Sequence, residues 1–85
     1  MPEISRFLGI SISMYFRDHA PPHFHAEYGE FEATIEIESG VVCGRFPRRA
    51  LNLVQEWCSV HKAELLANWQ LASRKLPLNP IDPLE

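Results

Sequence analysis

The sequence has no long apolar run, little cysteine and no excess of basic residues. No stretch approaches the roughly 20 consecutive apolar residues that cross a bilayer, so we expect no membrane span. No basic segment followed by an apolar one marks a secretory signal, which predicts a cytoplasmic protein. Two cysteines, Cys43 and Cys58, are too few for a disulfide scaffold. A formal net charge of −3 gives no support to a general nucleic-acid binder.

The 85 residues have the composition of one small globular domain, with 46% hydrophobic and 22% charged residues. We predict a single domain over residues 1–75 and a proline-spaced tail over residues 76–85. Pro77, Pro80 and Pro83 recur at every third position, which matches polyproline II and cannot continue a helix. The apolar residues between them predict that the tail packs on the domain or on a partner chain.

Apolar and polar residues alternate through most of the first half of the chain. Strict alternation predicts half-buried strands that have one solvated face. The predicted strands cover residues 4–8, 10–17, 23–28, 31–38 and 41–43. Gly29-Glu30 separates two of them and predicts a two-residue hairpin turn.

From residue 48 to residue 73 the apolar spacing changes to three and four, which predicts helix. A straight helix of this length would measure about 39 Å, too long for so small a domain. We therefore expect a break near residues 59–62. Strands followed by helix predict an α+β fold, an antiparallel β-meander of four to five strands with a C-terminal helix, kinked or split, packed on one face.

Three of the four histidines fall within seven residues, at His19, His23 and His25. His23 and His25 share the solvated face of their strand, since the residues that alternate with them are apolar. The hairpin turn predicts that His25 lies opposite Thr34 and that His23 lies opposite Glu36. A polar cluster on the open face of the sheet follows from this register.

A metal-free acid–base site is one hypothesis for this cluster. Alternation on the preceding strand places Tyr15 near His25 and Arg17 near His23. Histidine titrates near neutral pH and a carboxylate can orient it, while Arg and Tyr can hold a phosphodiester. The predicted catalytic set is therefore His23, His25, Tyr15, Arg17 and Glu36, the reaction is RNA cleavage, and no cofactor is expected.

A divalent metal site, with zinc as the cofactor, is the alternative. His19, His23 and His25 supply three ligands and leave a fourth position open. A third interpretation is structural, in which the loop satisfies backbone groups and the sheet face serves at most as a partner surface.

A basic cluster at Arg45, Arg48 and Arg49 lies at the predicted start of the helix. Cations at a helix N-terminus oppose the helix dipole. A bound anion would remove this conflict, so the three arginines form a predicted anion-binding set. The alternative is that they project into water or pair with nearby glutamates.

Four segments resemble a small bacterial family called domain of unknown function 4160. They are the MPEISRF start, the block HAPPHFHAEYG at 19–29, PRRAL at 47–51 and ELLANW at 64–69. The family is uncharacterised, and the resemblance supplies no activity and no catalytic residues. It implies a bacterial cytoplasmic protein encoded beside another small domain, in an arrangement like a toxin–antitoxin pair.

The resemblance and the histidine cluster together predict a toxin–antitoxin-like module that acts with a small partner protein. Its sharper form is a metal-independent ribonuclease toxin. The alternatives are a non-enzymatic protein-interaction module and a divalent-metal-binding domain that uses the histidine loop. RNA and a second copy of the chain remain open as further partners.

Overall fold

The computed structural model describes residues 2–84, and Met1 and Glu85 lie outside the described residues. The elements in chain order are β1 (Glu3–Phe7), β2 (Ile10–Ser13), β3 (His23–Tyr28), β4 (Phe31–Glu36), β5 (Val42–Arg45), α1 (Arg48–Val60) and α2 (Lys62–Ser73). The strands form one antiparallel sheet in the order β1-β2-β3-β4-β5. The predicted α+β meander is confirmed, with five strands.

The β3–β4 hairpin has the predicted register. Gly29 has a φ of 59°, a conformation that glycine adopts without the steric cost of a side chain. His25 lies opposite Thr34 and His23 opposite Glu36, as predicted. The same face of both strands therefore carries these polar side chains.

β2 is shorter than predicted: it ends at Ser13, four residues before residue 17. Arg17 has a φ of 54°, which is incompatible with a strand, and its N–H donates to the carbonyl of Ala72 at 3.1 Å. The chain thus leaves the sheet after Ser13 and is fastened to the end of α2. Consequently Ser13 is the residue of β2 that lies opposite His25.

The core lies between one face of the sheet and the two helices. Trp57 of α1 is fully buried and contacts Phe7 and Phe24, with ring centroids 5.4 and 5.7 Å apart. Burial of each large apolar side chain stabilises the fold by about 1.5–3 kcal/mol. The core contains side chains from every strand except the edge strand β5, from both helices and from three positions outside these elements: Ile4, Phe7, Ile10, Ile12, Met14, Phe24, Ala26, Ala33, Ile35, Ile37, Ala50, Val54, Trp57, Cys58, Leu65, Trp69, Ala72 and Ile81.

The helical segment breaks at His61, inside the predicted interval. The His61 N–H donates to Trp57 O at 3.0 Å, and the His61 carbonyl accepts from Leu65 N–H at 2.9 Å, so one residue serves both helix ends. The whole molecule extends only 33 Å along its longest axis. The break lets α2 return Leu65 to the core. Among residues 2–84, no helix is long and apolar enough to cross a membrane.

The tail packs back on the domain. The Asn68 side chain is buried, donates to Asn79 O at 2.8 Å and accepts from Asn79 N–H at 2.9 Å. Trp57 Nε1 donates to Asp82 O at 2.8 Å, and Ile81 is 4% exposed. Of the two predicted destinations for the tail, the domain is therefore the one that residues 76–84 take.

Candidate functional site

His23 and His25 lie on the open face of β3, since Phe24 and Ala26 are fully buried on the other face. The two histidine side chains are nevertheless only 10% and 13% exposed. The loop at residues 14–22 covers them, because it runs from the end of β2 past α2 to the start of β3. The loop therefore turns part of an open sheet face into a partly enclosed site.

Asp18 lies in this loop and faces both histidines. Its Oδ1 accepts a hydrogen bond from the backbone N–H of His19 at 2.8 Å, which holds the carboxylate in place. Its Oδ2 lies 2.9 Å from His23 Nε2 and 3.3 Å from His25 Nε2. One nitrogen of each ring and one carboxylate oxygen thus converge, all within 4.8 Å of one another.

His23 is held on three sides. Its Nδ1 lies 2.8 Å from the carbonyl oxygen of Pro21. Because a carbonyl oxygen only accepts hydrogen bonds, Nδ1 is the donor and carries a proton. The ring also packs against Trp69 of α2, with centroids 5.2 Å apart. Backbone and core together fix the direction in which Nε2 points, towards Asp18.

Tyr15 stacks on His25, with ring centroids 4.0 Å apart and planes inclined by 28°. It reaches His25 from the loop and not from β2, which ends two residues earlier. Burial, together with the negative charges of Glu32, Glu27 and Asp18, raises the pKa of the Tyr15 hydroxyl. The phenol therefore stays protonated near neutral pH.

The environment keeps Asp18 ionised. Burial acts to raise the pKa of its carboxyl group, but hydrogen bonds from the His19 backbone and from His25, with the charge and hydrogen bond of His23, outweigh burial. The net result is a pKa below the ordinary value of 3.8. At neutral pH the cluster thus contains a carboxylate, which only accepts hydrogen bonds.

A pocket of about 290 Å³ opens beside the cluster. Its lining comes from the loop, from β3 and β4, and from the start of β5: Tyr15, Asp18, His19, Pro21, His23, His25, Thr34, Glu36, Val41 and Cys43. Glu36 accepts a hydrogen bond from the Ser39 hydroxyl at 2.5 Å through Oε1. The lining contains carboxylates, imidazoles, hydroxyls and a thiol, but no lysine or arginine.

The structure brings together four of the five residues of the predicted catalytic set, namely Tyr15, His23, His25 and Glu36. Arg17 does not line the pocket, because it is exposed in the turn that fastens the loop to α2.

The three arginines of the predicted anion-binding set also lie outside this pocket. Arg48 and Arg49 are exposed in the first turn of α1, and Arg45 lies opposite Glu32 at the sheet edge.

His19, a member of the predicted metal set, lines the pocket but stays at its rim. Its side chain is 89% exposed, and its Nδ1 lies 3.1 Å from Asp18 Oδ1, the oxygen that faces away from the other histidines. The three groups whose ligand atoms converge are instead Asp18, His23 and His25.

The sequence places Asp18 only at the rim of the polar face, and neither Asp18 nor Trp69 was in the predicted catalytic or metal sets. Asp18 stands directly before the histidine segment, and a carboxylate on the same rigid loop was a signal that could have identified it. Trp69 belongs to the apolar helical spacing over residues 48–73, which is typical of a core position, and it is 9% exposed. The helical spacing does not indicate that the Trp69 ring contacts His23, because that contact depends on how α2 packs against the sheet.

Fold and site define a small α+β protein in which two histidines and an aspartate converge beside a pocket on an otherwise open sheet face. The sequence model of the family described as "Domain of unknown function (DUF4160)" matches residues 9–70. The chain belongs to this family, as the resemblance implied. The search of curated proteins and the search of solved structures found no match to it.

Proposed function

We propose that Asp18, His23 and His25 bind one divalent transition-metal ion. The observation that carries this proposal is the contact between His23 Nε2 and Asp18 Oδ2 at 2.9 Å. Since Nδ1 of His23 donates to the Pro21 carbonyl, a neutral His23 ring presents a lone pair at Nε2. A lone pair and a carboxylate oxygen would repel at this distance, so the contact calls for a cation between them, which is a metal ion on this proposal and a proton on the alternative below.

The distances suit a metal ion. Ligand atoms about 2.0–2.1 Å from a zinc ion lie about 3.4 Å apart in a tetrahedral site, and about 3.0 Å apart at right angles in an octahedral one. The separations from Asp18 Oδ2 to the two Nε2 atoms are 2.9 and 3.3 Å. A metal-bound histidine also commonly donates its second N–H to a backbone carbonyl, as His23 does to Pro21.

The ligand chemistry selects the metal class. Two imidazoles and one carboxylate suit zinc or iron(II), whereas magnesium and calcium prefer oxygen ligands. Cys43 lines the pocket but is not one of the converging groups, so no thiolate enters the set. We therefore take zinc as the first ion to test, with iron(II) bound by the same three residues.

Titration of the full chain with zinc, without a histidine tag, tests the proposal. We expect one zinc per chain, with binding lost in His23→Ala and in Asp18→Ala. His61→Ala is the matched control, because His61 also pairs with a carboxylate, Glu64, but lies between the helices. His19→Ala keeps binding on this proposal and loses it if His19 is a ligand. The absence of zinc binding, or full binding by His23→Ala, would overturn the proposal.

A metal-independent ribonuclease is a second candidate, in which a proton takes the place of the metal. A proton on His23 Nε2 would satisfy the same 2.9 Å contact and make His23 a general acid, with His25 as the base. The shared pocket of Tyr15, His23, His25 and Glu36 favours it. The absence of any lysine or arginine from the pocket lining counts against it, because phosphodiester cleavage needs a cation for the developing charge.

RNA cleavage in the presence of a chelator separates these candidates. On the metal proposal, the purified chain leaves RNA intact in EDTA. Cleavage in EDTA that is lost in His25→Ala would support the nuclease, which is the sharper form of a toxin in a toxin–antitoxin-like pair.

The partner protein of such a pair is a separate hypothesis, and it includes the non-enzymatic interaction module. The surface it would use is the open face of the sheet, because within residues 2–84 both helices contribute to the core on the other face. Co-expression with the small protein encoded beside this chain tests it, since a complex that survives gel filtration would establish the pair. Separate elution of the two proteins would contradict the hypothesis.

A further inference from the structure

The three converging groups all line the same pocket. His23 and His25 project from β3, Asp18 comes from the loop, and the pocket of about 290 Å³ lies beside them. Zinc takes four ligands in most sites, and catalytic sites with three protein ligands keep a position for water or substrate. An ion held by these residues therefore retains coordination positions that face the pocket.

The pocket is small. Its 290 Å³ lies just below the roughly 300–1,000 Å³ of ordinary ligand-binding clefts. A small ligand is therefore enclosed best, whereas a drug-sized ligand would extend beyond the pocket.

The charges around the pocket disfavour a polyanion. Asp18 and Glu36 are in its lining, and Glu27 and Glu32 lie close enough for their charges to act on Tyr15. The charges of Asp18 and Glu36 together balance a divalent ion, so no positive charge is left over for a polyanion. A phosphate chain would be repelled by Glu27 and Glu32, and no lysine or arginine lines the pocket to offset that repulsion. A small oxygen ligand with no charge, or with a single negative charge that the metal ion balances, meets less of this repulsion.

Glu36 provides a partner for such a ligand. Its Cα lies opposite that of His23, and its Oε1 is held by the Ser39 hydroxyl. Its Oε2 receives no hydrogen bond from residues 2–84, so it is free to accept one from an N–H or O–H in the pocket.

We propose that the metal centre is open and takes a small oxygen ligand that carries at most one negative charge, of the amide or hydroxamate class, whose N–H donates to Glu36. This inference rests on the proposed metal site. It adds the class of ligand and one specificity-determining residue outside the metal ligands.

Titration of the cobalt(II)-loaded full chain with acetohydroxamic acid tests it, because the visible absorption of cobalt reports its coordination. We expect a saturable spectral change at one ligand per chain. Glu36→Gln should weaken acetohydroxamate binding about tenfold or more, as a hydrogen bond to a charged group contributes about 1.5–3 kcal/mol. Glu38→Gln is the matched control, since it makes the same charge change two residues away and outside this pocket.

The outcomes separate this inference from the metal proposal. Cobalt that binds but shows no spectral response to acetohydroxamate would overturn the open centre and leave the metal site standing. Equal weakening by Glu36→Gln and Glu38→Gln would overturn the role of Glu36. Tighter binding of pyrophosphate than of acetohydroxamate would overturn the ligand class. If cobalt itself does not bind, the metal proposal fails first.

Discussion

Replacement of Asp18 by asparagine removes one negative charge from the site and keeps almost the same shape. Asparagine retains an oxygen for the His19 N–H, but it replaces the acceptor that faces His23 at 2.9 Å by an amide nitrogen. A hydrogen bond to a charged group contributes about 1.5–3 kcal/mol, so we expect a loss of about 2 kcal/mol in the free energy of unfolding at pH 7. With an m value of about 1–2 kcal/mol/M, the urea midpoint falls by about 1–2 M.

The difference in free energy of unfolding between wild type and Asp18→Asn should become smaller as the pH falls. The pKa of Asp18 lies below its ordinary value of 3.8 in the folded protein. A carboxyl group of this kind stabilises the fold above its unfolded pKa, and the contribution disappears as the pH falls through its folded pKa. Wild type and Asp18→Asn should therefore differ most near pH 7 and converge below pH 3.8.

Urea unfolding followed by tryptophan fluorescence measures this difference, at pH 7 and at pH 3, with EDTA present so that metal does not contribute. Asp82→Asn is the control, because Asp82 is the other aspartate, is exposed and uses only its backbone carbonyl in the fold. Its unfolding free energy should stay within about 0.5 kcal/mol of wild type. Equal stability of Asp18→Asn and wild type at pH 7, or an undiminished gap at pH 3, would refute this account of the cluster.

Three further predictions concern the scaffold, each checked by urea unfolding. Gly44→Ala should lower the free energy of unfolding by well over ~1–2 kcal/mol, the strain of a side chain at positive φ, because its Cβ would lie 2.6 Å from the Glu32 carbonyl oxygen. Gly40→Ala is the comparison: its Cβ would meet open space, so it should cost about that strain alone. Asn68→Ala should lower the free energy of unfolding by about 1–3 kcal/mol and make the tail more sensitive to limited proteolysis, because it deletes both hydrogen bonds between the Asn68 side chain and Asn79. Glu27→Lys should raise the free energy of unfolding by about 0.2–1 kcal/mol, and by less at high salt, because it replaces a like-charge pair with Glu32 by an ion pair. An unchanged or lower free energy of unfolding would contradict the opposition of Glu27 and Glu32.

The sheet was predictable from the sequence because each step depends on local chemistry. Alternation fixes which face of β3 is polar, and Gly29 fixes the turn, so the opposition of His23 to Glu36 follows without tertiary information. The break at His61 followed from length alone, since a straight helix would overhang the sheet.

The loop was not predictable in the same way. Alternation continues through Tyr15 and Arg17, but the contact of Arg17 with the end of α2 overrides it and ends β2 early. That contact joins residues 55 positions apart, and no local pattern encodes it. The position of Asp18 over the histidines depends on this turn, which is why the predicted catalytic and metal sets contained the right histidines without Asp18.

The central claim is that a metal ion lies between Asp18, His23 and His25. A crystal of the full chain grown with zinc, measured at the zinc absorption edge, tests it directly through the anomalous difference map. We predict one peak about 2.0–2.2 Å from Asp18 Oδ2 and from Nε2 of both histidines. A map with no peak there, and with His23 Nε2 still 2.9 Å from Asp18 Oδ2, would show a proton in place of the metal and contradict the claim.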